Sequence, residues 1–368
     1  MLAFRSVRHG LAVRRPREHL FDAVGAVGLR RTKHAVLALG ARVDGFAPDD
    51  LAHALGEERL VVFYGARGTV MLAPPEDLPV LTIGTAPSDD GSLRAALPGA
   101  FVRHLDTARF PATDALRLVV DAVRDVLASG PKPRGETAME VTRALPPVLT
   151  PPCRGRCPDP HVEDSLFRLA GVSGTMRFYR GDDVLVGVDP DEGRSRPSLR
   201  HEFVRRYLSC YGPSTPATLA AWAGISEADA RRSIESLSDE VVPVEVDGHR
   251  AGVLLSVDAA NATEAVVRTV RFLPPFDPYL LARDRSLLVP SRAIQKVVWR
   301  SSGNPGVLVA DGEPLATWRT RKRAGRSDVL IEPLDPGSSV DEAAVSEERD
   351  RLTQLLDRES LTTKTTKS

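Results

Sequence analysis

The chain has 368 residues, 42% hydrophobic and 27% charged, which is enough for more than one domain and excludes wholesale disorder. Forty-nine basic residues balance forty-nine acidic ones, so net charge alone predicts no anionic partner, and an aromatic share of 5% leaves Val, Leu and Ala to build the cores. Three cysteines are too few for a disulfide framework, and no apolar run is long enough to span a membrane or to form a secretory leader core, so the sequence reads as cytosolic.

One pattern recurs three times along the chain: helices followed by two strands with a tight turn. Its first copy runs through PREHLFDAVGAVG, HAVLALGAR and APDDLAHALGEE, where Pro48, Asp49 and Asp50 mark a helix start and Leu51, Ala54 and Leu55 form its apolar stripe. LVVFYGARGTVMLAP then reads as a hairpin hinged near Gly65 and Gly68. In the second copy TDALRLVVDAVRDVLASG carries Leu116, Val119, Val120, Val123 and Leu127 at helical spacing and stops at Gly130. RGETAMEVTRAL and HVEDSLFRLAG are short helices, and TMRFYRGDDVLVGVDP turns at Arg180-Gly181-Asp182. The third copy joins LRHEFVRRYLSCYG, PSTPATLAAWAG and ISEADARRSIESLSDE, the last capped by Ser226, to a hairpin turning at Asp247-Gly248. Helix, turn, helix and wing in that order describe a winged helix, whose last helix usually enters the major groove.

After about Arg268 the texture changes. FLPPFDPYLLARDR is Pro-rich and irregular; GVLVADGEPLATWRTRKRAGRSDVLIEPL alternates as three strands, turning at Asp311-Gly312 and Ala324-Gly325-Arg326. A helix over DEAAVSEERDRLTQLLD precedes a polar tail, LTTKTTKS, expected to be disordered. The expected fold class is α+β: three tandem winged-helix units over 1–110, 111–195 and 196–262, a small β-rich region over 263–335, and a helix and tail over 336–368. No long apolar helical seam calls for an obligate oligomer, so a monomer is expected. The same helix–hairpin pattern also serves protein-interaction modules and could belong to a helical enzyme.

Charge is unevenly placed. Up to Arg42 the chain has Arg5, Arg8, Arg14, Arg15, Arg17, Arg30, Arg31, Lys33 and Arg42 against Glu18 and Asp22, and a second basic cluster is Arg319, Arg321, Lys322, Arg323 and Arg326. Two basic segments on a neutral chain point to one positive face.

RYLSCYGPSTPATLAAWAG, FLPPFDPYLLARDR, GNPGVLVADGEPLATWR, ALGARVDG and ARGTVMLAPPEDL together resemble the AlkZ/YcaQ-type DNA glycosylases, from about Val13 to Pro333. The resemblance implies three tandem winged helices, a β-rich C-terminal part and a positively charged DNA-binding surface. It also implies excision of alkylated bases and unhooking of interstrand crosslinks, with double-stranded DNA as partner and no cofactor. Family enzymes carry Gln-x-Gln or Gln-x-Asp just ahead of the segment that here reads HAVLALGARVDG. Here that stretch is VGLRRTKH, which puts Gly28 and Arg30 at the two motif positions; the chain's glutamines, Gln295 and Gln354, lie far away in sequence, and Asp22 and Asp44 stand at the wrong spacing.

Hydrolysis of an N-glycosidic bond needs a water aligned with C1′ and stabilisation of an oxocarbenium-like transition state, work suited to a carboxylate or amide oxygen. Gly28 and Arg30 remove that acceptor and put a cation where positive charge develops. His34 is the weak remaining candidate for holding a water, although a plain helix-end histidine is the simpler reading. Arg30, Arg31 and Lys33 suit phosphate contacts, against the alternative of a solvated charge run. Arg67, in the RGT segment, reads equally as a DNA contact or a structural ion pair. Arg321, Lys322 and Arg323 sit where a hairpin would reach into a groove, or where basic residues serve solubility. Asp284, flanked by Arg283 and Arg285, suggests an ion pair that fixes the fold. Cys153, Cys157 and His161 lack an evident fourth ligand, so no metal is expected. Two functions stay open: a glycosylase with altered catalysis, and a DNA or lesion binder without chemistry.

Overall fold

A computed structural model describes residues 1–25, 27–30, 34–152, 160–189, 193–246, 249–259, 269–323, 326–335 and 342–365. Helices mix with antiparallel strands, and the chain divides into two compact units. One comprises Met1–Ala54, Tyr207–Ser214 and Glu240–Ser368; the other comprises Leu55–Arg206 and Thr215–Asp239. No helix among the described residues is long and apolar enough to cross a membrane.

In the unit built on Leu55–Arg206, the expected hairpins form where the turn residues allow them. Val61–Gly65 pairs with Thr69–Ala73 through a turn in which Arg67 (φ 60°) and Gly68 (φ 64°) are left-handed. Met176–Phe178 pairs with Val184–Gly187 across a second left-handed pair, Arg180 (φ 48°) and Gly181 (φ 82°). The two hairpins lie side by side in one sheet, Val62 facing Phe178 and Phe63 facing Arg177. Helix Ala112–Leu127 packs on helix Asp164–Val172 and buries Ala112, Ala115, Val119, Ala122, Val123 and Leu127. Leu116 and Val120, expected on that stripe, are half-buried. Gly171 allows the second helix to meet the sheet: a Cβ there would lie 2.5 Å from the Tyr64 ring. Local capping explains the next two helices. Thr215 and Thr218 form a capping box with Pro216 in the first turn, Gly224 closes that helix at φ 75°, and Ser226 caps Glu227–Glu235 by accepting from the Asp229 amide.

The other unit holds the front of the chain. Short helices at Leu2–Arg8, Leu20–Ala23 and Ala35–Gly40 precede Pro48–Gly56, and PREHLFDAVGAVG, expected as one long helix, is broken into Arg17–His19 and Leu20–Ala23. The break falls at His19, whose backbone leaves helical values (φ −97°, ψ 27°), and Gly25 (φ 82°) and Gly28 (φ 74°) keep the helix from continuing past Ala23. Hairpin Val241–Val246 with His249–Leu255 is tied to Ser214, which exchanges backbone hydrogen bonds of 3.0 and 2.9 Å with Val253. Val270–Leu273, Gly306–Ala310, Glu313–Arg323 and Arg326–Pro333 form a four-stranded antiparallel sheet. The expected turn at Asp311 (φ 53°) and Gly312 (φ 86°) is present, whereas Asp247-Gly248 and Ala324-Gly325 lie outside the described residues.

Helix Glu342–Thr365 packs on Val270–Leu273 and on Ala35–Gly40, burying Leu352 and Leu355. Its backbone runs on to Thr365, through most of the segment expected to be a disordered tail. Gly40 admits the contact: a Cβ would stand 2.4 Å from Leu355 Cδ2. Arg14 donates to Glu348 (2.7 Å) and Arg351 to Asp44 (2.9 Å), so the helix holds the segment that follows the motif positions.

Candidate nucleic-acid interface

Two buried ion pairs position the segment around Arg30. Arg42 is 3% exposed and binds Asp277 in bidentate fashion, at 2.7 and 2.8 Å, while donating to the carbonyls of His9 (2.8 Å) and Ala38 (2.9 Å). Arg5 donates to the carbonyls of Gly212 (3.0 Å) and Tyr211 (2.7 Å) and to Asp284 (3.0 Å). Asp284 therefore does form an ion pair that fixes the fold, but its partner is Arg5, 279 positions away, and not the flanking arginines. Between the two pairs lies His9, packed edge-on against Tyr211 and Tyr279 at 5.0 and 5.4 Å. Burial first, then the charges of Arg42 and Arg5, push its pKa down to about 3, so the ring is neutral.

Committing Asp277 and Asp284 internally leaves the nearby cations uncompensated. Phe276 adopts φ 66° between prolines and is 38% exposed, a conformation that costs a non-glycine residue about 1–3 kcal/mol and is kept where the surroundings enforce it. Over its ring, at 4.5 Å, sits the guanidinium of Arg30. Arg30 Nε is buried with no hydrogen-bond partner, and so is Arg283 Nε. Burial is the largest cause lowering the proton affinity of Arg30, followed by the charge of Arg283; Arg283 is lowered by burial and by Arg285. Arg285 in turn lies over Trp299 at 5.0 Å. The result is a run of arginines with aromatic support and no matching carboxylate among the described residues, an arrangement suited to anions.

Gly28 has φ 74°, and its amide donates a turn bond of 3.2 Å to the Gly25 carbonyl. A side chain at this position would have to adopt a left-handed backbone. His34 stands half-buried at the N-cap of Ala35–Gly40, with no side-chain capping bond. Both flanking aspartates are exposed and ion-paired. Asp22 pairs with His19 (3.1 Å) and Arg15 (3.5 Å), and Asp44 with Arg351 (2.9 Å).

The remaining expected contacts are more scattered. Arg67 is exposed, and Gly224 packs against its stem, a Cβ there falling 2.2 Å from Arg67 Cγ. Arg321 is exposed and faces Asp328 across a ribbon: strand Glu313–Arg323 pairs with Gly306–Ala310 as far as Trp318, and beyond that only with Arg326–Pro333. Lys322 and Arg323 continue the strand backbone of that ribbon. Arg31 and Lys33 lie outside the described residues, as do Cys153 and Cys157; His161 Nδ1 is 2.8 Å from the Val162 carbonyl. Sequence reasoning missed Phe276 as the partner of Arg30, and Arg283 and Arg285 as further cations near it. The signal within reach was an aromatic residue locked between prolines in PPFDP, followed by more arginines than one aspartate can neutralise.

The AlkZ-like family model, described as DNA glycosylase AlkZ-like, matches residues 21–355. This chain belongs to that family. An interstrand DNA cross-link repair glycosylase of Streptomyces sahachiroi is 30% identical over 140 residues, which span 36% of this chain and 36% of that protein. The Streptomyces sahachiroi DNA glycosylase AlkZ structure superposes with a TM-score of 0.75 at 18% identity, covering 96% of this chain and 95% of the other. The AlkZ-like fold therefore extends over nearly the whole chain, while the sequence match to the curated relative spans about a third of its length. Around Arg30 this AlkZ-like chain stacks the guanidinium of Arg30 on Phe276 and that of Arg285 on Trp299.

Proposed function

We propose that this AlkZ-like protein binds duplex DNA carrying alkylated or crosslinked purines, in repair or self-protection, and that its Arg30 centre captures a phosphate instead of activating water. One observation carries the proposal: the guanidinium of Arg30 is stacked on Phe276 and has a buried unpartnered Nε, with the neighbouring carboxylates already bound to Arg5 and Arg42. An arginine held this way has its donors and charge available to an anion and has no lone pair with which to orient water. Arg31 and Lys33 extend the same basic segment, Arg67 adds a contact on the other unit, and the ribbon of Arg321, Lys322 and Arg323 reaches toward a groove. The three helix–hairpin copies are read as winged helices presenting these contacts. Base release at this centre is slow, because a cation destabilises the positive charge that develops on the sugar.

The deciding experiment incubates excess protein with a duplex containing a single N7-methylguanine and scores abasic sites and complex from the same samples. Complex without abasic sites above the spontaneous rate is the expected result. Rapid base release would overturn the assignment of Arg30 and return the protein to the glycosylases proper.

A further inference from the structure

We propose that the cavity between residues 283–286 and helix Arg292–Val298 is a phosphodiester pocket that takes one DNA backbone phosphate with its sugar. The inference rests on the DNA-binding reading above and gives it a second, separate anchor point.

The cavity has a volume of about 490 Å³ and is lined by Arg283, Arg285, Arg292, Lys296, Gln295 and Trp299, with Asp284 and Ser286 at its wall. Pockets of roughly 300–1,000 Å³ hold small organic ligands, so there is room for more than a bare oxyanion. Its charge is one-sided. Asp284 spends its carboxylate on the buried Arg5, and among the described residues none of the four lining cations makes an ion pair. Like charges held together with an internal donor unsatisfied at Arg283 Nε gain most from an entering anion. Rigidity is already present. Gln295 Nε2 donates to the Val289 carbonyl (2.8 Å), and the Trp299 indole N–H donates to the Leu280 carbonyl (2.9 Å) while Arg285 lies on its ring. Arginines with fixed planes bind phosphate oxygens in pairs, and Lys296 adds a mobile point charge at the rim. The charge of Arg283 also acts on Arg30, which places the cavity near the Arg30 centre, where a neighbouring phosphate of the same strand would sit.

The test uses the full-length protein and the double variant R292Q/K296Q, both positions being exposed on a short helix and away from the buried pairs. Affinity for a fluorescein-labelled undamaged duplex is read by anisotropy between about 50 and about 200 mM salt. Loss of one phosphate contact should reduce the slope of log K against log salt by about 0.9. Emission from Trp299 gives an independent readout, since Trp222 and Trp318 are buried at 5% and 4% exposure. Duplex should change the emission of the native protein and leave that of the double variant unchanged. If the native protein binds duplex and the double variant retains both affinity and slope, this inference falls while the DNA-binding reading stands. Failure of the native protein to bind duplex at all would overturn both. Saturation of the emission change by inorganic phosphate, with the duplex slope of the double variant unaltered, would mark a free-phosphate site and sink the strand assignment.

Discussion

Replacing Arg30 by Gln tests the cationic centre directly, because it removes the charge and restores an amide at one motif position. The guanidinium rests on Phe276 at 4.5 Å, and burial together with Arg283 disfavours its charge. A partly desolvated cation–π contact is worth about 0.5–2 kcal/mol, and relief of the repulsion with Arg283 opposes its loss, so stability should change little. Binding should change more. If Arg30 neutralises one phosphate, R30Q lowers the salt slope by about 0.9, so that raising salt from about 50 to about 200 mM weakens the native protein about 3.5-fold more than the variant. Chemistry should move the other way. Preorganised polar groups contribute about 10²–10³ each to rates of this kind, so an amide in place of one of the cations should raise base release above that of the native protein. The assay pairs anisotropy titrations with single-turnover release of N7-methylguanine. An unchanged salt slope would refute the phosphate role, and slower base release in R30Q would show that Arg30 assists excision.

Other outcomes follow from the same network. D277N leaves the buried Arg42 without its counter-charge and should cost about 3–5 kcal/mol in urea unfolding. His9 keeps a pKa of about 3 in the folded chain, against about 6.5 when unfolded, so the unfolded chain takes up a proton that the folded chain refuses. Its contribution is therefore complete above about pH 6.5 and declines by about 1.4 kcal/mol per pH unit below that; H9F should flatten this part of the profile between pH 7 and pH 5. G224A places a Cβ on the Arg67 stem at a left-handed position, φ 75°, and should destabilise by about 1–2 kcal/mol in urea unfolding. It should also weaken duplex binding by displacing Arg67, which anisotropy would detect.

Local chemistry made much of this fold legible in the sequence. Ser226, Thr215 with Pro216, Asp311-Gly312 and Arg180-Gly181 act within a few residues of themselves, so the helix ends and hairpins they specify could be placed without a partner. That Gly28 and Arg30 carry neither an amide nor a carboxylate was equally plain, because it depends on residue identity alone. Tertiary structure decided which charges remain available. Asp284 stands between two arginines in the chain yet binds Arg5, and Asp277 binds Arg42 across 235 positions. No periodicity encodes that choice, since ion-pair partners are selected by burial and distance after the segments have packed. The same packing laid Arg30 on Phe276, and it left Arg283 and Arg285 unneutralised beside a cavity. Sequence alone determined that Gly28 and Arg30 carry neither an amide nor a carboxylate side chain; the folded chain determined which cations keep no ion-pair partner among the described residues, because packing commits Asp277 to Arg42 and Asp284 to Arg5.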